Sequence, residues 1–181
     1  MSHLKLTEAE YAAHIARNRA LRVQRAHPDL AQPKPVPALL KGPQLLGGGA
    51  ICFEVPGTPI PKGRPRLGRG HTYTPRRTQE AENVVRSVAQ LHEVIPIVGP
   101  ILMHLDFFIP IPKQWAKAKV QSAMLGTIRP TTGADADNLG KMVMDGLQGI
   151  AFANDAQVVE LICRKWYSVE PRTVVKIVPL P

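Results

Sequence analysis

The sequence predicts an α/β (α+β) fold: one mixed β-sheet domain with packed helices over residues 50–181, behind a helical N-terminal extension. Three observations predict it. The composition breaks at residue 50, where a Pro/Gly-rich stretch gives way to apolar runs. Three or four strand-like runs then alternate with helix-like patterns, the order that a mixed α/β domain produces. A chain of 181 residues is long enough for one domain with a real core plus an appendage.

Residues 1–26 carry an amphipathic, basic helix pattern. Thr7 and Glu10 form a T-x-x-E capping box ahead of it. Tyr11, Ile15 and Leu21 give a thin apolar stripe, and Arg17, Arg19, Arg22 and Arg25 crowd the C-terminal half, where cations suit the helix dipole. A solvated basic helix, or one supporting a partner chain, accounts for this better than a specific nucleic-acid contact. Residues 27–49 hold five prolines and close on Gly47-Gly48-Gly49, which is linker composition. No Gly-Lys-Ser/Thr follows those glycines, so they are not a phosphate loop.

From residue 50 the elements come in order. AICFEV reads as a strand, and residues 56–76 as a long Pro/Gly/Arg segment. Residues 77–93 read as a helix with Ala81, Val84, Val85, Val88 and Leu91 on one stripe. ILMHLDFFI, 101–109, is a strand rich in large apolar groups, and 111–127 is read as helical after Pro112. Residues 139–150 form a helix that buries Leu139, Met142, Val143, Gly146, Leu147 and Ile150, with Asp137 as its N-cap candidate. Residues 158–169 and 172–178 are two strands joined by a turn at Glu170-Pro171.

Composition excludes several functions. No apolar run approaches the ~18–20 residues of a membrane span, and Lys5, Glu8 and Glu10 interrupt any signal-peptide core. A cytoplasmic protein with no membrane partner is expected. Cys52 and Cys163 each sit among apolar neighbours and form no CxxC pair, and the six histidines are not spaced as ligands, so a zinc site is not indicated. The net charge is +9, from 23 basic and 14 acidic residues. It points to nucleic acid, an anionic membrane or an acidic partner.

Charge placement is more informative. In DADNLGKMVMDGLQGIAFANDA, 135–156, four of the chain's acids gather around a single base. At ~100° per residue, Asp137, Lys141 and Asp145 cluster opposite the apolar stripe. Asp135 lies two residues upstream, and Asp155 is expected near the helix N-terminus if the following strand packs beside the helix. Converging carboxylates repel unless neutralised, and their hard oxygens suit magnesium, with manganese as an alternative. Such an ion activates water in phosphodiester hydrolysis, and a nearby lysine suits the growing charge. The plain alternative is a set of caps, turns and a surface i, i+4 pair. The second motif, VPGTPIPKGRPRLGRGHTYTPRRT, carries Lys62, Arg64, Arg66, Arg69, Arg76 and Arg77 with His71 and Tyr73 interleaved and no acid. Arginine forks and free backbone amides match phosphates; a solvated charged loop is the competing account.

DADNLGKMVMDGL followed by AFANDAQVVEL resembles the RusA family of Holliday junction resolvases, with its D-x-D-N-x-x-K pattern, an Asp on the same helix and a later Asp-Asp before Gln-Val. The basic segment is similar to the N-terminal part of that family, and the likeness runs from about residue 52 to 178. The resemblance implies a RusA-like mixed α/β homodimer that nicks opposed strands of branched DNA. It implies that Asp135, Asp137 and Asp155 bind magnesium, that Lys141 contacts the scissile phosphate and that Asp145 supports the site by fixing Lys141. Asn154 stands where the family often has a second acid, and Gly140 is expected to let the helix backbone approach DNA closely. The leading expectation is therefore a magnesium-dependent, structure-selective endonuclease of recombination and repair, working on a four-way junction with no small-molecule cofactor. A non-catalytic branched-DNA-binding module would not require the full Asp/Lys set. A small-substrate phosphohydrolase would not require six cations.

Overall fold

A computed structural model describes residues 44–46, 49–64, 66–67 and 72–181. The expected N-terminal helix at 1–26, most of the 27–49 linker, and Arg69 and His71 lie outside the described residues. The described residues belong to one compact unit, Ala38–Pro181.

Among the described residues, seven strands and three α-helices follow in the order β1 (Gln44–Leu46), β2 (Ala50–Pro56), β3 (Arg66–Leu67), β4 (Thr72–Tyr73), α1 (Arg76–Leu91), β5 (Ile101–Pro110), α2 (Lys117–Met124), α3 (Ala136–Leu147), β6 (Val158–Ser168) and β7 (Arg172–Pro179). The main sheet has the order β1-β2-β7-β5-β6. It is mixed: β5 runs parallel to β6 and antiparallel to β7. β1 lies within the stretch read as linker, pairing Leu46 with Ala50. β3 and β4 make a small antiparallel ribbon inside the segment read as an irregular loop. The turn at Glu170-Pro171 is present, but the strands it joins are not neighbours, because β5 lies between them. A short turn does not by itself make a hairpin; here β5, with Met103, Leu105, Phe107 and Phe108 fully buried, takes the place between them.

Side chains alternate across the sheet. One face, with Phe53, Met103, Leu105, Phe107, Val175 and Ile177, packs against Val85 and Ala89 of α1 and Leu139, Val143 and Leu147 of α3. The opposite face carries a buried polar layer. Trp166 Nε1 donates to Asp106 Oδ1 at 2.7 Å, and the Arg172 guanidinium lies 3.9 Å from the Phe108 ring centre while its Nε sits 3.4 Å from Glu54.

Three readings shift. In α1 the buried stripe is Thr78, Ala81, Val85 and Ala89, while Val84 and Leu91 are exposed. Two overlapping apolar stripes were available in that sequence, and the small residues Ala81 and Ala89 win because they permit close packing. The helix expected over 111–127 covers only Lys117–Met124: a turn at 113–114, closed by Trp115 N donating to the Pro112 carbonyl at 3.1 Å, and an extended Ala116 precede it. Gly140 is buried against the sheet: a Cβ there would stand 2.9 Å from Cys163 Sγ. It brings α3 close to β6, not to DNA.

Gly146 sets the crossing of α1 and α3. An added Cβ would meet Val85 Cβ at 2.9 Å and the Glu82 carbonyl oxygen at 3.0 Å. Gly146→Ala is expected to destabilise the domain by about 1–3 kcal/mol through overpacking, despite alanine's better helix propensity. Urea unfolding measures this, and an unchanged or raised midpoint would count against the close crossing.

Candidate active site

α3 presents two different sides because its apolar residues recur every three or four positions. Leu139, Gly140, Met142, Val143, Gly146 and Leu147 are buried, and Asp137 and Lys141 are exposed on the other side, with Asp145 at its margin. Asp135, rather than Asp137, occupies the N-cap position; its extended backbone accepts from Leu139 N at 3.1 Å. Starting the helix at Ala136 gains this extra backbone bond. The Asp135 side chain makes no capping bond to the backbone, and Asn138 Nδ2 approaches it at 3.5 Å. Asp137 falls in the first turn, where the helix dipole favours a carboxylate.

The approach to α3 is tied to β6. Lys165 Nζ donates to the Ala134 carbonyl at 2.8 Å. Arg129 Nε donates to the Lys165 carbonyl at 2.6 Å, and its guanidinium stacks 3.3 Å from the Trp166 ring centre. These contacts place Asp135 with respect to the sheet. They were not legible in the sequence, where Arg129 and Lys165 are two cations among 23.

Asp155 opens a short 3₁₀ turn before β6. Asn154 caps it: its Oδ1 accepts from Ala156 N at 2.9 Å, while Gln157 Oε1 accepts from Asn154 N at 3.1 Å. The amide of Gln157 donates onward to the Ile97 and Gly99 carbonyls at 3.1 and 2.9 Å. Asn154 thus has a structural task that needs only an oxygen acceptor, which either an amide or a carboxylate supplies. Asp155 meets α3 at Lys141, in its second turn, with Nζ and Oδ2 2.7 Å apart.

Lys141 also faces Asp145 Oδ1 at 3.4 Å. The other oxygen of Asp145 lies 2.6 Å from Lys62 Nζ, which pairs in turn with Glu82 of α1. The result is an alternating chain of charge, Glu82, Lys62, Asp145, Lys141 and Asp155, spanning four parts of the fold: α1, the basic segment, α3 and the turn before β6. The hydrogen bond to Asp155 raises the Lys141 pKa above the ordinary lysine value, and the same bond holds the Asp155 carboxyl below the ordinary carboxylate range. Burial opposes protonation of Lys62, but its bonds to Asp145 and Glu82 outweigh it and leave the pKa raised.

The basic segment is docked where it meets the helices. Lys62 N donates to the Asn138 carbonyl of α3 at 2.9 Å, and Gly63 N to Thr78 Oγ1 of α1 at 3.1 Å. A Cβ on Gly63 would come within 2.6 Å of that hydroxyl oxygen. Arg64 is exposed, Arg66 lies in β3, and Arg76 and Arg77 are exposed at the start of α1. Arg76 pairs with Glu80 at 2.7 Å on the surface. α1 has no acid in its first turn, so its dipole and both arginines give that end a positive potential. Among the described side chains of the segment, Lys62 is the cation joined to the Asp/Lys cluster.

Among the described residues, no three His, Cys, Asp or Glu side chains converge as a metal cage. The donor chemistry of Asp135, Asp137 and Asp155 nevertheless suits magnesium. That ion keeps several waters and is commonly held by one or two carboxylates together with substrate phosphate, so a closed protein cage is not required.

Cys163, facing Gly140, has its thiol pKa pushed up to about 11 by burial and, secondarily, by the Asp137 charge. The raised value favours the thiol in the folded state. Its contribution to stability is complete below the ordinary value of 9.0 and is lost as the pH rises through about 11. Iodoacetamide at pH 8 should therefore alkylate Cys163 far more slowly in the native than in the unfolded protein. Equal rates would contradict that environment.

A basic mixed-sheet domain that carries carboxylates and a lysine on the open side of one helix, with Arg64, Arg76 and Arg77 exposed, has the equipment of a nucleic-acid hydrolase. Comparison with known proteins makes this specific. The family model for endodeoxyribonuclease RusA matches residues 56–178. An uncharacterized protein, YqaN, of Bacillus subtilis (strain 168) is 38% identical over 134 residues, which is 70% of this chain and 94% of that protein. The chain belongs to the RusA family of endodeoxyribonucleases, DNA-binding hydrolases that resolve Holliday junctions. Among the described residues no helix is long and apolar enough to cross a membrane.

Proposed function

We propose that this protein is a magnesium-dependent, structure-selective endonuclease that resolves four-way junctions or other branched DNA in recombination and repair, in the cytoplasm and as a homodimer. The observation that carries the reading is Lys141, placed between Asp155 and Asp145 on the open side of α3, in a chain of this family.

Asp135, Asp137 and Asp155 would hold the divalent cation. Bound there, the cation supplies a Lewis acid for the phosphate and lowers the pKa of a water. Lys141 donates to a non-bridging phosphate oxygen and offsets the charge that grows as the leaving oxygen departs. Asp145 keeps the ammonium on the open side of α3 while it does so. Arg64, Arg66, Arg69, Arg76 and Arg77 grip the backbone or the junction opening, and affinity should fall steeply with salt as their counterions are released. Manganese is expected to substitute for magnesium, since it takes the same oxygen donors.

The test uses purified protein on a labelled synthetic four-way junction, with a linear duplex of the same sequence alongside, each with magnesium, manganese or EDTA. Paired nicks in opposed arms that need metal and are absent from the duplex are the expected result. Tight junction binding without cleavage under any metal would instead favour a branched-DNA-binding module that has lost turnover.

A further inference from the structure

Lys62 belongs by sequence to the basic segment, yet its ammonium faces inward. It is about three-quarters buried, at 26% side-chain exposure, and lies between two acids, each at 18%. Its backbone is bonded to the first turn of α3 and its neighbour Gly63 to α1, so the ammonium is delivered by a fixed piece of chain. Arg64, by contrast, is open to solvent. A cation that has been taken out of water and paired on two sides is poorly placed to trade those partners for a phosphate.

What Lys62 does hold is Asp145. It takes Oδ2 at 2.6 Å, leaving Oδ1 toward Lys141 at 3.4 Å. Without Lys62, both oxygens of Asp145 would be free to pull Lys141 inward, and the carboxylate could rotate about its own side chain. Glu82, on a different helix, fixes Lys62 from behind. We infer that Lys62 is a positioning residue for Lys141, acting through Asp145 and braced by Glu82, rather than one of the DNA-gripping cations. Glu82 lies on α1 and belongs to neither sequence motif. The inference rests on the role given to Lys141 above and adds two residues to that machinery.

The experiment compares the full chain with Lys62→Met, Lys62→Arg and Glu82→Gln. It measures cleavage of the four-way junction at saturating protein with magnesium, junction affinity in EDTA, and the side-chain Cε–Hε resonance of Lys141 in metal-free protein. Lys62→Met should lower the saturated rate roughly ten- to a hundredfold, the scale of a small misplacement of a reacting group. Affinity should stay within about threefold, because one phosphate contact among several is not being lost. Lys62→Arg should recover most of the rate. Glu82→Gln, which keeps the shape of Glu82 and removes its charge, should lower the rate in the same direction by a smaller factor. The Lys141 resonance should move in Lys62→Met and Glu82→Gln and return in Lys62→Arg. Loss of affinity with an unchanged saturated rate would make Lys62 a phosphate contact and overturn the inference, as would an unmoved Lys141 resonance. If the unmodified protein cuts no junction, the proposed function fails on its own, and the resonance then decides the coupling: a shift supports it and no shift overturns it. Should Lys62→Met fail to fold, Glu82→Gln carries both readouts.

Discussion

Asp137→Asn is expected to abolish paired nicking of a four-way junction while leaving junction binding unchanged or tighter. Asparagine keeps the size of the side chain and one oxygen, but it removes the charge that makes the oxygen a ligand for a hard cation. The loss in rate should be at least about a hundredfold, comparable with removing a group that acts on the transition state. Binding should not suffer, because a negative charge facing a phosphate has been taken away. The fold should survive: Asp137 is exposed, and its interaction with the α3 dipole is worth at most about 1 kcal/mol at a solvated helix end. The measurements are single-turnover cleavage, gel-shift affinity in EDTA and a urea midpoint. Loss of binding in parallel with cleavage would reduce Asp137 to a structural acid of the first turn.

Lys141→Ala should also cost far more rate than affinity, by a hundredfold or more against a few-fold. The ammonium is about half exposed, so substrate can reach it, yet it is held by Asp155 at 2.7 Å and by Asp145 at 3.4 Å. Removing it leaves two carboxylates facing each other across an empty position, which weakens both the geometry of Asp155 and the charge balance at the phosphate. The pH behaviour has a definite sign. The Lys141 pKa is raised, so the stabilisation from its ion pairs is complete at neutral pH and is lost only as pH climbs past the ordinary lysine value of 10.5. The Asp155 carboxyl is held low, so its side of the pair is present above the ordinary carboxylate value of 3.8 and is lost as pH falls below it. Cleavage between these limits should show no titration of Lys141. An unchanged rate in Lys141→Ala would remove the residue from the mechanism.

Some of this was legible along the chain because it depends on spacing alone. The buried stripe of α3 and the opposite placement of Asp137, Lys141 and Asp145 follow from 3.6 residues per turn. The strands at 50–56, 101–110, 158–168 and 172–179 follow from runs of apolar and β-branched residues between turn formers. The span of α3 is Ala136–Leu147 where 139–150 is expected, with Asp135 and not Asp137 as the N-cap, since the cap-forming types Asp135, Asp137 and Asn138 lie close together around Ala136 and local chemistry does not choose between them. In α1, Val84 and Leu91 joined the expected stripe because periodicity does not say which of two overlapping faces a neighbouring helix will take.

By itself, then, the sequence determined the four long strands and the helices α1 and α3, which side of α3 is buried and which acids and lysine share its open side. These are consequences of the backbone repeat and of side-chain type, and they act over a few residues. Only the tertiary structure decided that β5 separates β6 from β7, that Lys62 turns inward to Asp145 and Glu82, and that Asp155 reaches Lys141 from a turn 14 residues further on. Each of those depends on packing between segments far apart in the chain. There the pairing of a charge is set by which partner the buried core brings within reach, and a one-dimensional pattern carries no record of that choice.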